Sequence, residues 1–242
     1  MKSTPSCRGR RFGLILALIM LLALSGACSG HSDEERTAPK TPPQGFTFFD
    51  LDDNTVLTDA VRSRLSRHLG SDSITQKTTL DLNFDGDDLL QTHFPELHRL
   101  NKGLNWPPLE RVEHDTVRLM YRFARRNNLP FSYVELTFAA EPRTPLLIKI
   151  ETQADGDAVL KGLIDKYGPP QEIPLAQEDR RVQYWRKKDD IFLVYIHRNR
   201  YAEIVYRFVI YYTDNLKQLL ADEQARREKR EDRRRKAGQT AF

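Results

Sequence analysis

Oxygen-bearing side chains alternate along one short segment of the chain, which is the pattern of a calcium-binding loop. Such a loop needs oxygen ligands at alternate positions and a glycine where the backbone turns sharply. The residues that fit are Asp81, Asn83, Asp85 and Asp87, with Gly86 at the turn. The closing position, which normally holds a bidentate Glu, is Thr92. The segment therefore favours a turn that leads into a capped helix, with calcium binding as the weaker alternative.

Two histidines and a carboxylate form the second group with metal-binding chemistry. These residues are His93, Glu96 and His98, and Pro95 lies between the histidines. Zinc-binding histidines on one helix are normally four positions apart, because that spacing places both on one face. Here the spacing is five, so we expect ordinary surface or turn histidines and no metal or other cofactor.

The sequence contains no recognisable catalytic motif. A Gly-x-Ser-x-Gly elbow, a phosphate-binding glycine loop and a dinucleotide fingerprint are all missing from it. Because catalytic groups can also converge from distant positions, this pattern favours a non-enzymatic protein and leaves an enzyme as the alternative.

The N-terminal segment has the composition of a secretory signal. Lys2 and three arginines precede the apolar run 12–24, which is too short for a bilayer-spanning helix. The small residues 25–27 then precede Cys28, and this order resembles the lipobox of bacterial lipoproteins. The resemblance implies that residues 1–27 are a signal peptide and that Cys28 carries the lipid.

Two other outcomes remain open at this cleavage site. Ser25 and Ala27 also suit ordinary signal peptidase, which would produce the same mature start without a lipid. Because Cys7 leaves with the signal, Cys28 is then an unpaired thiol in an oxidising compartment, and a disulfide-linked homodimer would be its alternative use.

The positive net charge of the precursor comes from the signal. The chain has 38 Lys and Arg, and removal of the four in residues 1–27 leaves 34 against 34 Asp and Glu. A neutral mature chain gives no support for a nucleic-acid partner. We expect a protein of the bacterial cell envelope, anchored in the inner or outer membrane and facing the periplasm.

Charge is concentrated in a C-terminal tail, residues 221–242. The basic residues of this tail are Arg226, Arg227, Lys229, Arg230, Arg233, Arg234, Arg235 and Lys236. On a helix, Asp and Glu three or four positions away would pair with these cations and leave an ordinary solvated surface. The functional alternative is contact with anionic head groups or with an acidic envelope partner.

Aromatic residues are frequent in the predicted strands near the C-terminus. They favour core packing, because aromatic side chains are good strand formers with one face turned to the core. The alternative is a ligand groove or a contact surface, for which Trp185 and Tyr211 are the candidate partner contacts.

Hydrophobic periodicity predicts an α+β fold with a curved antiparallel sheet and packed helices. Residues 28–45 have the polar, proline-containing composition of a flexible linker, and residues 46–220 should form the folded domain. The predicted strands cover about 47–51, 78–84, 117–123, 131–139, 146–150, 182–186, 191–197 and 202–212. The predicted helices follow Thr58, Gly86 and Asp155, and a charged one begins near Asp214.

One pattern recurs with a shift of 98 residues. The segment Asp59-Ala60-Val61 with its later Gly70 returns as Asp157-Ala158-Val159 with Gly168. This indicates either two duplicated strand-helix-sheet units, with halves 46–140 and 141–220, or two unrelated capped helices.

The second half resembles a known type of envelope domain. A helix that ends in Tyr167-Gly168-Pro169, a strand with Tyr184-Trp185 and further antiparallel strands resemble the SmpA/OmlA-type lipoprotein domain over residues 157–212. Such domains belong to the outer-membrane barrel-assembly machinery, so the resemblance implies a binding or assembly module.

Overall fold

The computed structural model describes residues 45–83, 89–175 and 179–240, in which five α-helices and eight β-strands occur. The helices are α1 (Asp59–Leu69), α2 (Leu89–His93), α3 (Pro95–Leu104), α4 (Gly156–Tyr167) and α5 (Thr213–Thr240). The strands are β1 (Ser73–Thr78), β2 (His114–Tyr121), β3 (Tyr133–Ala139), β4 (Pro145–Thr152), β5 (Gln171–Ile173), β6 (Arg181–Lys187), β7 (Asp190–Arg198) and β8 (Ile204–Tyr211). Residues 42–242 form one compact unit.

All eight strands join one open antiparallel sheet in the order β1-β2-β3-β4-β8-β7-β6-β5. Strands β4 and β8 form its central pair, in register from Leu147 opposite Tyr211 to Thr152 opposite Tyr206. The predicted α+β fold with a curved antiparallel sheet, packed helices and a C-terminal helix is confirmed.

Each half of the sheet is built from a helix followed by four strands. Helix α1 precedes β1 to β4, and helix α4 precedes β5 to β8, so the two runs meet at the β4–β8 pair. Both helices end at a glycine with positive φ, 88° at Gly70 and 84° at Gly168. The predicted division into halves at residue 140 stays a prediction, and this position lies between the paired strands β3 and β4.

Helices cover both faces of this sheet. Along β8, Tyr206, Phe208 and Ile210 belong to one buried cluster and Val209 and Tyr211 to the other. The first cluster contains side chains of α1 and α4, and the second contains those of α2, α3 and α5. This alternation follows from strand geometry, since successive side chains point to opposite faces.

Helix α1 begins and ends where its sequence predicts. The Thr58 side chain accepts a hydrogen bond from the Val61 amide at the N-terminus. Arg62 then makes two hydrogen bonds of 2.7 and 2.8 Å to the mostly buried carboxylate of Asp72, which precedes β1. The ion pair keeps the pKa of Asp72 below its usual value, because the guanidinium stabilises the charged carboxylate.

Two predicted strands are wrong. Residues 47–51 form a tight turn, since Phe49 and Asp50 both have positive φ and Phe48 pairs with Leu51. In the segment predicted at 78–84, the described residues after Thr78 are not a strand, and β1 lies before them. The alternating pattern of this segment does not produce a strand. Side chains from other elements bind the backbone groups of residues 79–82 that a neighbouring strand would otherwise bind, as described below.

Gly156 gives a direct test of packing at the start of α4. A Cβ atom at this position would lie 1.9 Å from Cδ2 of Tyr206, whereas one at Gly162 would meet nothing within 4 Å. We expect Gly156→Ala to lower the free energy of unfolding by about 1–3 kcal/mol through overpacking. Gly162→Ala should raise it by up to about 1 kcal/mol through helix propensity. Urea unfolding measures both, and equal effects would contradict the described packing.

Candidate functional site

The described part of the predicted calcium loop is occupied by internal contacts. Asp81 Oδ1 accepts a hydrogen bond from the Asn83 amide at 2.9 Å, and Lys149 Nζ donates to the Asp81 carbonyl at 3.3 Å. The Leu82 amide donates to Asn101 Oδ1, and its carbonyl accepts from the Tyr211 hydroxyl. These contacts describe a local turn tied to α3 and β8 with a lysine beside it, which disfavours a divalent cation. The other two predicted ligands, Asp85 and Asp87, lie outside the described residues.

The structure places His93 at the end of α2 and Glu96 and His98 in α3. No group of three or more His, Cys, Asp or Glu side chains suited to a metal occurs among the residues that the structure describes. Glu96 instead forms an ion pair of 2.8 Å with Lys217 of α5.

Trp185 and Tyr211 are buried, so their proposed role as partner contacts is wrong. The Trp185 indole donates to the Gly168 carbonyl at 2.7 Å and packs beside Phe192. The Tyr211 hydroxyl donates to the Leu82 carbonyl at 2.8 Å. Both aromatic rings fill the core and satisfy their polar atoms internally, which confirms the interpretation of the aromatic strands as core at these two positions.

The first turns of α5 are fixed to the sheet. The Thr213 amide donates to the buried carboxylate of Asp190 at 3.0 Å, which satisfies one of the free amides at the helix start. Asn215 Nδ2 donates to the carbonyls of Asp53 and Pro145. Leu216 and Leu219 are buried in the cluster on this face of the sheet.

After the buried leucines of α5, polar side chains make the contacts between this helix and the body. Glu223 Oε1 lies 2.7 Å from Nδ1 of His114, whose side chain is completely buried at the start of β2. One turn later, Arg226 pairs with Asp115 at 3.1 Å, and Arg227 donates to the Trp106 carbonyl at 3.0 Å. The body of the protein therefore fixes the direction of α5 as far as Arg227.

Burial of the helix against the body ends at Arg227. Every side chain whose burial is described between residues 228 and 239 is exposed, so α5 projects from the folded body. Within this part Arg235 pairs with Asp232 at 2.6 Å, as expected for charges three positions apart. Among the described residues, Lys229, Arg230, Arg233 and Arg234 have no ion-pair or hydrogen-bond partner.

Five arginines of α5 share one side of the helix. At about 100° per residue, five arginines fall within an arc of about 120°, which we call the basic arc. They are Arg226, Arg227, Arg230, Arg233 and Arg234. Glu228 and Asp232 lie on the opposite side with Arg235, and Glu231 lies between the two sides. Because Arg226 and Arg227 contact the body, the basic arc faces the side of the helix on which the body lies.

Two adjoining clefts of about 280 and 340 Å³ separate α5 from the ends of β1 and β2. Lys77, Asp115 and Arg226 line both, and Arg230 lines the outer one. Lys77 has a φ of 57° and interrupts the β1–β2 register between Gln76 and Thr78. Irregularities of this kind re-aim a side chain, and here a lysine without a partner among the described residues lies in the cleft.

The loop between α3 and β2 exposes two large apolar side chains. Trp106 is 61% exposed and Leu109 is fully exposed, although most large apolar side chains of the described chain are buried. This loop is not among the candidate sites that the sequence predicts. Its signal was a tryptophan followed by two prolines and a leucine, outside any periodic pattern.

Comparisons with known proteins identify no relative of this chain. No family model matches it, and no curated protein or solved structure matches it. The similarity of residues 157–212 to SmpA/OmlA-type domains therefore stays a prediction. No helix among the described residues has the length and apolar character needed to cross a membrane. Cys28, the expected lipidation site, lies outside the described residues.

The buried carboxylate of Asp190, which accepts from the first turn of α5, predicts that folding stability depends on pH. Burial, followed by repulsion from Asp53 and Asp214, raises the pKa of Asp190 to about 6, against the lowering effect of the Thr213 amide. Because this pKa lies above the unfolded value, protonation favours the folded state. The contribution of Asp190 to the free energy of unfolding is fully present below about pH 4 and is lost as the pH rises through about 6.

We expect Asp190→Asn to keep the acceptor for the Thr213 amide and to remove this dependence. At pH 7.5 the variant should have a free energy of unfolding about 1–3 kcal/mol above that of the wild type. The difference between the two proteins should shrink as the pH falls from about 6 to 4. Urea unfolding across this pH range measures it, and a constant difference would contradict a raised pKa.

Proposed function

We propose that this protein is a lipid-anchored, periplasm-facing protein of the bacterial envelope that acts as a non-enzymatic binding or assembly module. Its contact element is the projecting part of α5. The observation that carries the proposal is that this helix is fixed to the body as far as Arg227 and then extends with exposed side chains and unpaired cations.

Folding stability does not account for the projecting part. Its side chains add no apolar burial, and exposed ion pairs such as Arg235–Asp232 contribute little to stability. An isolated helix of this length is only marginally stable in water. The projecting part therefore depends on its continuity with the packed first half of α5 to stay helical. A segment that is held in one direction and adds no packing is suited to contact with another component.

The N-terminal sequence supports a membrane location for this element. A basic segment, a short apolar run and small residues before Cys28 are the parts of a lipoprotein signal. A lipid on Cys28 would restrict the domain to a membrane surface, where partners and head groups are concentrated.

A second candidate function is ligand binding or catalysis in a groove beside the sheet. The specific observation in its favour is the cleft lined by Lys77, Asp115 and Arg226, in which Lys77 has no partner among the described residues. Saturable binding of a small anion that is lost in Lys77→Ala would favour this candidate over a contact module.

The location is tested by the intact mass of the protein isolated from membranes, with Cys28→Ala as the comparison. We expect diacylglyceryl and acyl mass on the peptide that begins at Cys28, and release of the variant from the membrane fraction. An unmodified mature protein in the periplasm would contradict the anchor.

The contact element is tested by photocrosslinking in intact cells. A photoreactive amino acid at Arg233, on the basic arc, should give reproducible adducts with an envelope component. The same residue at Lys161, an exposed position of α4, is the matched control and should give none. Equal labelling at both positions, or none at Arg233, would contradict a role for α5 in contact.

A further inference from the structure

We propose that the basic arc of α5 and the loop containing Trp106 and Leu109 together form a docking surface for a bilayer that contains anionic phospholipids. The inference rests on the proposed function, because it names the partner of the same projecting helix. It adds a second membrane attachment, independent of the lipid on Cys28.

The loop has the composition of a membrane-interface anchor. Tryptophan favours the interface because its ring is apolar while its indole N–H remains hydrated, and leucine adds apolar area that enters the acyl boundary. Trp106 and Leu109 are both exposed and are three positions apart in one loop. Polar residues follow them, Glu110 first, so the apolar patch is confined to the tip of the loop.

The basic arc supplies the complementary charge. Arg230, Arg233 and Arg234 lie on it without an ion-pair partner among the described residues. Glu228 and Asp232 of the same segment face the other way. Each cation close to an anionic surface increases membrane partitioning about fivefold. Arg230 lines the cleft between α5 and the body, so the cations of the arc that can face an anionic surface beside the loop are Arg233 and Arg234, which lie past the body.

A direct contact joins the two parts. Arg227, a member of the basic arc, donates to the backbone carbonyl of Trp106, so the loop that carries the exposed indole adjoins the arc. The neighbouring Arg226–Asp115 ion pair adds a second attachment between α5 and the body. The helix and the loop therefore present apolar and cationic groups together, which is the combination found in interfacial membrane elements.

The experiment uses residues 42–242, which form one compact unit and include both buried clusters. Sedimentation would measure their partitioning onto vesicles of phosphatidylcholine, with or without phosphatidylglycerol. We expect binding to the anionic vesicles that weakens as the salt concentration rises, and little binding to phosphatidylcholine alone. Thermal unfolding of each variant would confirm that it folds.

Matched control variants distinguish the specific effects of the basic arc and of the loop from general effects of net charge and of exposed aromatic area. Arg233→Glu should weaken binding at least tenfold, whereas Arg235→Glu, with the same change of charge on the opposite side, should weaken it less than about threefold. Trp106→Ala should weaken binding about tenfold. Tyr201→Ala, at an aromatic residue that is 67% exposed in the β7–β8 turn, should leave it unchanged.

Each alternative occupant has its own result. Equal effects of Arg233→Glu and Arg235→Glu, or an unchanged Trp106→Ala, would overturn the surface. Inhibition of vesicle binding by inorganic phosphate at equal ionic strength would assign the cations to a soluble anion instead. Absence of vesicle binding together with protein adducts at position 233 would overturn this inference and leave the contact function in place. Absence of both vesicle binding and adducts at position 233 would contradict this inference and the contact function alike.

Discussion

The pairing of β4 with β8 is the constraint on which the rest of the structure depends. It joins two runs of four strands into one sheet and brings the Leu147–Tyr211 and Thr152–Tyr206 pairs to the centre. Because the sheet is continuous there, helices can cover both of its faces with two separate buried clusters. Strand β8 also leads directly into α5, so the same pairing determines where the C-terminal helix begins and against which face it lies.

Helix α5 changes character along its length, and this change links the fold to the proposed contact surface. Its first turns bury Leu216 and Leu219, its middle contacts His114 and Asp115 through charged groups, and its end is solvated. Burial fixes the position of the helix, and the polar contacts fix its rotation. Rotation is decisive for charge, because a turn of about half a circle would exchange the basic and acidic sides.

Local sequence patterns predicted the features that depend on nearby residues. Thr58 and Gly70 marked the ends of α1, and hydrophobic periodicity marked the strand that became β8. The failures have long-range causes. Residues 79–83 alternate like a strand, but the Tyr211 hydroxyl and the Asn101 side chain bind the Leu82 backbone from distant elements. The basic residues of α5 were found from composition, whereas the contact of Arg227 with Trp106, 121 positions away, was not predictable from spacing.

The central claim is that the tip of the loop enters a membrane interface beside the basic arc, and fluorescence quenching by bromine-labelled phospholipids tests it most directly. The chain has two tryptophans, Trp106 in the exposed loop and Trp185 in the core, so quenching by the lipid can be assigned through a Trp106→Phe variant. The account predicts that labelled anionic vesicles quench the wild type strongly and leave the emission of the variant unchanged. Quenching that is equal in both proteins, or absent from the vesicle-bound wild type, would contradict it.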